Sequence, residues 1–307
     1  MQIDAGQPGP PPTISAVIPA FNAAAVVGRA IESALKQSIP PTEVLVIDDG
    51  STDQTAEVVA SYATSVKLLR RPQNGGPGAA RNTGIRAASG DWIALLDADD
   101  AWLPHKLERQ LPWLNNPTVG LVHALSTAYD GRALPVLTFS ELWEQNRIIA
   151  SSAVIRRSAL AAVGGFDESP SLIAVEDYNL WLRLALAGWP IATCPDRLVL
   201  YTPAPGHLSG RRSEVLAAQL ANAALIGEEA SLDLAAIGAK RRRILESAAR
   251  TFLWNRDRPA ARQCYRVLLH EQASLAALKG WLATFVPRPI LDIRRGLLRS
   301  GGPGKPT

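Results

Sequence analysis

Over residues 13–96, short apolar runs alternate with longer segments whose apolar positions recur every three or four residues. Ile14–Ile18, Val44–Ile47, Val66–Leu69 and Trp92–Leu96 are the runs, and their length and β-branched content predict strands, the first expected to stop at Pro19. Between them, Ala23–Gln37 sets Val26, Val27, Ala30, Ile31, Ala34 and Leu35 on one helical stripe, while Thr55–Tyr62 and Pro77–Ala88 have helical length and content. Strands without polar alternation are buried on both faces. The pattern therefore predicts an α/β unit with a parallel sheet between two helical layers.

From Pro104 the pattern becomes mixed. A helix is expected to about Asn115, an apolar segment at Val119–His123, a hairpin around Tyr129, Asp130, Gly131 and Arg132, and a strand at Ser151–Arg156. Gly164 and Gly165 end a short helix from Ser158 to Val163, and Gly188 ends a longer one from Ala174 to Ala187. Ile191–Cys194 and Leu198–Tyr201 read as two late strands. Past Gly210 nearly everything is helical, near 213–230, 233–254, 259–271, 274–285 and 289–299, with Pro259 fitting a first turn.

Charge divides the chain at the same place. Residues 1–210 carry 15 Lys+Arg and 20 Asp+Glu, whereas residues 211–307 carry 17 and 8. An acidic body with a basic tail is not the uniform positive field of a nucleic-acid binder, so nucleic acid is not an expected partner and the two parts should face different ones. The expected organisation is a flexible leader at 1–12, an α/β domain at 13–210 and a basic helical extension at 211–307. Cys194 and Cys264 are too few for a disulfide framework, which favours a reducing cytoplasm. The start lacks the basic flank and apolar stretch of an export signal. The two long uncharged windows, Ala5–Gly28 and Gln110–Tyr129, are broken by proline and amide residues, so no spanning helix is expected.

Open parallel sheets bind ligands beyond the carboxyl ends of their strands, and three acidic groups fall near such ends. Asp48 and Asp49 follow the second strand, where a carboxylate can accept from a uracil imide or ribose hydroxyls; the alternative is that Asp49 or Ser51 caps the next helix. Asp97, Ala98, Asp99 and Asp100 follow the fourth. If this stretch stays extended, the period of two points Asp97 and Asp99 to one side as hard ligands for magnesium or manganese, with positions left for diphosphate oxygens. Otherwise it is a solvated turn with Asp100 capping the helix after Pro104. Glu176 and Asp177, one turn inside a predicted helix, are the third group, and the helix dipole alone would explain them. The turn Gln73–Asn82 is glycine-rich and enters a helix, but lacks the Lys-Ser/Thr of a P-loop and the dinucleotide fingerprint.

In this order the pieces resemble glycosyltransferase family 2. The resemblance rests on Val17-Ile18-Pro19-Ala20-Phe21-Asn22, Val46-Ile47-Asp48-Asp49-Gly50-Ser51-Thr52-Asp53, Gly75–Gly84, Leu95–Trp102, and Gly164-Gly165-Phe166-Asp167 with Glu176-Asp177, and it spans about residues 13–210. It implies a GT-A fold, a mixed Rossmann-like α/β sheet, and a nucleotide-sugar donor held over the first four strands. Ala20 and Asn22 would lie by the base, with Asp49 or Asp48 contacting it. Arg81 would stand near the donor cleft, Asp97 on ribose and metal, and Asp99 on the metal, Mg2+ or Mn2+. Asp177 would be the general base of an inverting displacement, with Glu176 as the alternative.

One stretch departs from the family. Where many relatives have Tyr-Arg-x-His-Pro-Gly-x-Leu-Ser, this chain has Tyr201-Thr202-Pro203-Ala204-Pro205-Gly206-His207-Leu208-Ser209, so either His207 takes the missing metal contact or another group does. The extension is open to three readings: a cap on the catalytic domain, a contact with an anionic membrane through Trp281, Leu282, Phe285 and the arginines that follow, or a contact with a partner protein. The expected activity is transfer of a sugar, UDP-sugar favoured, to a glycan or lipid-linked acceptor in bacterial surface polysaccharide synthesis. A sugar nucleotidyltransferase should instead begin with a glycine-rich loop containing Arg and Lys, and Pro19-Ala20-Phe21-Asn22 is not one. A non-catalytic nucleotide-sugar binder draws support only from Thr202 and Ala204.

Overall fold

The computed structural model describes residues 11–129, 131, 133–202 and 211–286. Its first half is built from β1 (Ile14–Ala20), α1 (Val27–Leu35), β2 (Glu43–Asp48), α2 (Thr55–Ala60), β3 (Lys67–Arg70), α3 (Gly76–Ala87) and β4 (Trp92–Leu95). The four strands are parallel, in the order β3-β2-β1-β4. The period of two divides their residues between layers: Ile14, Ala16, Ile18, Val44 and Val46 join one buried cluster with α1, and Val17, Leu45 and Ile47 join another. Both faces are therefore buried, as an uninterrupted apolar run requires. Pro19 does not stop β1. It pairs in register with Ile47, and its missing N–H falls on the β4 side, where the ladder has already ended at Val17 and Leu95.

The second half is β5 (Ala101–Trp102), α4 (Lys106–Leu114), β6 (Leu121–Ser126), β7 (Val136–Leu137), α5 (Phe139–Glu144), β8 (Val154–Arg156), α6 (Arg157–Ala162), α7 (Glu176–Leu186) and β9 (Ile191–Leu200). Here the sheet becomes mixed, because β8 adds antiparallel to β4 and is followed by β6, β9 and β5. Three expectations change. The strands on either side of 129–132 are not paired with each other, since β7 pairs with β9 rather than β6; Asp130 and Arg132, in the expected hairpin, lie outside the described residues. The two late strands are one ten-residue β9 with register shifts against β6 on either side of Leu125. Ser151 and Ser152 belong to a 3₁₀ turn ahead of β8.

The extension forms α8 (Arg212–Glu229), α9 (Leu234–Trp254), α10 (Arg258–Glu271) and α11 (Leu275–Ala283), and the segment expected at 289–299 lies outside the described residues. Asp233, Asp257 and Ser274 accept the N–H groups of Ala236, Ala260 and Ala277, which caps the last three helices. Ala223 and Ile226 of α8 and Ile244 of α9 are buried in the cluster that holds Val17, Ile47 and Trp181. A separate cluster of Leu245, Phe252, Tyr265 and Leu268 joins α9 to α10. Among the described residues no helix is long and apolar enough to cross a membrane.

Candidate active site

The ends of β1, β2 and β4 meet the first turns of α3 and α7. After β1, Asn22 adopts a left-handed backbone (φ 48°), which asparagine tolerates better than most residues, and its Oδ1 accepts the Thr52 N–H at 2.9 Å. The Asn22 N–H donates to Ser51 Oγ, and the Ala20 carbonyl accepts the Asp49 N–H at 2.8 Å. This links the loops after β1 and β2 into one wall. Gly50 has φ 75°, and a Cβ there would stand 2.9 Å from the Asn74 nitrogen, so only glycine lets the glycine-rich turn come this close.

Asp48 and Asp49 are buried and fully engaged. Asp48 accepts the Ser51 N–H at 2.9 Å and Arg70 Nε at 3.1 Å; Asp49 accepts the Gly76 N–H at 2.9 Å, the Gly75 N–H at 3.2 Å and Arg71. Burial raises the Asp49 carboxyl above its ordinary range, while these donors oppose the rise. Neither Asp49 nor Ser51 caps α2. The cap position is Gln54, which makes no side-chain cap, and just before it Asp53 accepts the Thr55 N–H at 3.0 Å.

Asp97 and Asp99 are not in an extended run. The Asp100 N–H bonds back to the Asp97 carbonyl at 3.1 Å, so Asp97–Asp100 is a turn and strand alternation does not orient its carboxylates. Ser151 Oγ accepts the Asp97 N–H at 3.0 Å and donates to Asp100 Oδ2 at 2.6 Å. Asp100 also accepts the Thr202 N–H at 3.0 Å; it does not cap α4, and burial pushes its carboxyl up to about 6. Arg29 donates to the Asp99 carbonyl and to Thr202 Oγ1.

Asp97 gives one oxygen to Arg81 Nη2 at 2.7 Å, leaving Oδ2 without a protein partner among the described residues on a side chain that is 32% exposed. Asp99 is half-buried beside it. Two carboxylates are hard oxygen ligands and fit a hard divalent cation such as Mg2+ or Mn2+. No set of three or more His, Cys, Asp and Glu side chains able to hold a metal occurs among the described residues, so a cation held by this pair would need further oxygen ligands. His207 lies outside the described residues.

Arg81, on α3, is buried over the Phe166 ring at 5.3 Å and also donates through Nη1 to Glu176 Oε1 at 2.6 Å. Asp97 and Glu176 raise its pKa, so it stays charged despite its burial. Glu176 and Asp177 are the first two residues of α7 rather than a turn inside it, because Ala174 is left-handed (φ 78°) and halts the helix pattern; its N–H donates to Glu176 Oε2 at 2.9 Å. Both Glu176 oxygens are thus occupied. Among the described residues, half-buried Asp177 has no basic partner within ion-pair distance; it accepts the Tyr178 N–H and is pushed up to about 7 by desolvation and the Glu176 charge, with Arg81 opposing the rise. An acid that titrates near neutrality is suited to taking a proton.

Sequence reasoning missed Arg71, Ser151 and Asn82. Asn82 on α3 holds the Gly164–Asp167 turn, donating to the Phe166 carbonyl and accepting its N–H, both at 2.9 Å. Nothing local marks Arg71 or Ser151, whose partners lie 22 and 51 or more positions away.

The four parallel strands, the acidic turn after β4 and the acid pair on α7 come together through Arg81, on a sheet with the arrangement of the GT-A fold. The model of glycosyl transferase family 2 matches residues 15–160, and that of glycosyl transferase family group 2 matches residues 92–243. The chain is 31% identical over 301 residues to the succinoglycan biosynthesis protein ExoO of Rhizobium meliloti, covering 91% of this chain and 82% of that one. It is 30% identical over 179 residues to the Escherichia coli UDP-Glc:alpha-D-GlcNAc-diphosphoundecaprenol beta-1,3-glucosyltransferase WfgD, covering 56% of this chain and 69% of the relative. Among solved structures, the mannosyltransferase PcManGT of Pyrobaculum calidifontis, in complex with GDP-Man and Mn2+, superposes with a TM-score of 0.67 at 21% identity over 96% of this chain and 87% of that one. The chain belongs to glycosyltransferase family 2 and is a glycosyltransferase with the GT-A fold.

Proposed function

We propose that this enzyme is a metal-dependent, inverting transferase that moves a sugar from a nucleotide-diphosphate donor, most simply a UDP-sugar, to a hydroxyl of a glycan or lipid-linked acceptor in bacterial surface polysaccharide synthesis. The names of ExoO and WfgD support the pathway class and the lipid-linked acceptor. The observation that carries the reading is the bridge from Asp97 through Arg81 to Glu176, which joins the donor half of the sheet to the acid pair on α7.

In this reading Ala20, Asn22, Ser51 and Thr52 form a wall for the nucleoside, and Asp48 and Asp49 act by holding that wall and the glycine-rich turn. Asp97 and Asp99 hold Mg2+ or Mn2+, with His207 as a further ligand. The cation, when bound, offsets the charge that grows on the leaving diphosphate. Asp177 takes the proton of the acceptor hydroxyl, which makes the oxygen nucleophilic, and a single displacement inverts the anomeric carbon. Arg81 and the Ala174 N–H hold both Glu176 oxygens, which leaves the neighbouring Asp177 as the acid that takes the proton.

The extension meets an anionic membrane through α11. Leu275, Leu278, Leu282 and Phe285 form an exposed stripe, the first 67% accessible, and the chain beyond carries Arg288, Arg294, Arg295, Arg299 and Lys305 against Asp292. The decisive experiment is mass spectrometry of reactions containing a panel of UDP-, GDP- and dTDP-sugars with GlcNAc-diphosphoundecaprenol as probe acceptor. A sugar-extended acceptor supports the reading; donor binding without transfer or hydrolysis across the panel overturns it.

A further inference from the structure

The extension reaches α7 directly behind the acid pair. Lys240 of α9 is buried, and its three donors meet three acceptors: the Trp143 carbonyl, the Glu144 carbonyl at 3.3 Å and the Tyr178 hydroxyl at 3.0 Å. The two carbonyls belong to the last turn of α5, where helix geometry leaves carbonyls without intrahelical partners and the dipole favours a cation. Tyr178 is buried and donates its hydroxyl proton to the Leu142 carbonyl in the same helix. The ammonium also lies 5.4 Å from the centres of both the Trp143 and Tyr178 rings. About 100° further round the helix, Asn179 Nδ2 donates to Asn222 Oδ1 of α8 at 2.9 Å, with both side chains buried.

Tyr178 and Asn179 follow Asp177 immediately. Successive side chains on a helix are about 100° apart, so fixing two adjacent residues by buried hydrogen bonds fixes the rotation of the whole first turn. We propose that Lys240, with Asn222, is a positioning residue: the extension sets the rotation of α7 through Tyr178 and Asn179, and so aims Asp177 at the acceptor hydroxyl. This rests on Asp177 as the base. The geometric demand is real, because misplacing a reacting group by about 1 Å can cost on the order of a hundredfold in rate.

Lys240→Met keeps the length and apolar stem of the side chain and removes only its donors. In the full-length protein, with the panel donor that the wild type turns over fastest, its kcat is expected to fall at least tenfold with donor KM within twofold. Tyr178→Phe should lower kcat in the same direction, and the double variant should be no worse than the poorer single one, because both remove one shared contact. A lower Tm with kcat within twofold for both variants overturns the positioning role, as does full additivity of the two losses. Should Lys240→Met not fold, Tyr178→Phe carries the same split of kcat against KM. Asp177→Asn in the same assay separates the two ideas: if it is inactive while Lys240→Met keeps its kcat, positioning alone falls. If Asp177→Asn is active, the base assignment falls.

Discussion

Arg81 Nη1 lies 2.6 Å from Glu176 Oε1, a buried ion pair between residues 95 positions apart in the chain. It separates two adjacent acids that the sequence leaves equivalent. Glu176 is buried and held in place by a guanidinium and a backbone N–H, while Asp177 is half-buried and makes no ion pair among the described residues.

Asp177→Asn is therefore expected to lower kcat by about two to four powers of ten, with donor affinity unchanged, since a base acts only as the acceptor proton moves. Glu176→Gln should cost less in rate but more in stability, because it leaves Arg81 one charge short. Rapid-quench kinetics and calorimetric donor titration on the same two variants check both orders. Greater loss of turnover in a folded, donor-binding Glu176→Gln would transfer the base role to Glu176.

The Asp177 carboxyl is raised from 3.8 to about 7, so the native state holds its proton more tightly than the unfolded chain. That stabilisation is complete below the ordinary value and is lost as pH rises through about 7. Over the same interval the base ionises and kcat should climb. Wild type is expected to lose stability relative to Asp177→Asn between about pH 4 and 7, and to gain activity there. Urea midpoints and a pH–rate profile measure the two limbs, which the acid pair shares as a coupled unit.

Arg81→Met strands Glu176 in the interior and frees Asp97. Removing one member of a buried ion pair costs about 3 to 5 kcal/mol; the lower figure applies here because the Asp97 side chain can hydrate. Denaturant unfolding gives the number, and an unchanged midpoint would show that the bridge is not structural.

Chelator should abolish turnover and Mn2+ should restore it in the wild type, while Asp99→Asn should remain inactive at the Mn2+ concentration that saturates the wild type. Calorimetric titration of Mn2+ in the presence of UDP should show the same weakening independently of activity. Full turnover of Asp99→Asn in chelator would remove the metal from the reading.

Leu278→Asp and Leu282→Asp interrupt the exposed stripe of α11 without touching its buried contact through Ala277. Binding to phosphatidylglycerol vesicles at low salt should weaken by at least tenfold for the pair, with no change in donor KM. Equal vesicle binding by wild type and variant would leave α11 with a protein-contact or packing role.

The parallel half of the fold is legible because strands buried on both faces leave an unmixed apolar signal, as Val44–Ile47 does. The mixed half is not. Pro195 breaks the local pattern of β9, and that strand is held together by long-range pairing with β5, β6 and β7 that no window of sequence contains. Among site residues, Asp97, Asp99, Glu176 and Asp177 stand out by their clustering. What joins the two groups is Arg81, whose sequence neighbourhood does not show that it reaches both Asp97 and Glu176. The alternation argument for Asp97 and Asp99 failed because a strand period does not survive past Leu95, where the backbone turns.

The burial of Ala223, Ile226 and Ile244 among Val17, Ile47 and Trp181 has a consequence for exchanging parts between relatives. A seam at residue 210, where the charge changes sign, cuts through a shared interior, and a chimera made there would have to match two foreign surfaces at once. The weaker seam runs inside α9, where Ile244 still faces the sheet and Leu245 already faces α10. Recombination that carries residues 13–254 as one block should keep the sheet-side interior intact, and α10 and α11 can then vary only as far as they still fit the α9 face of Leu245, Ala249 and Phe252.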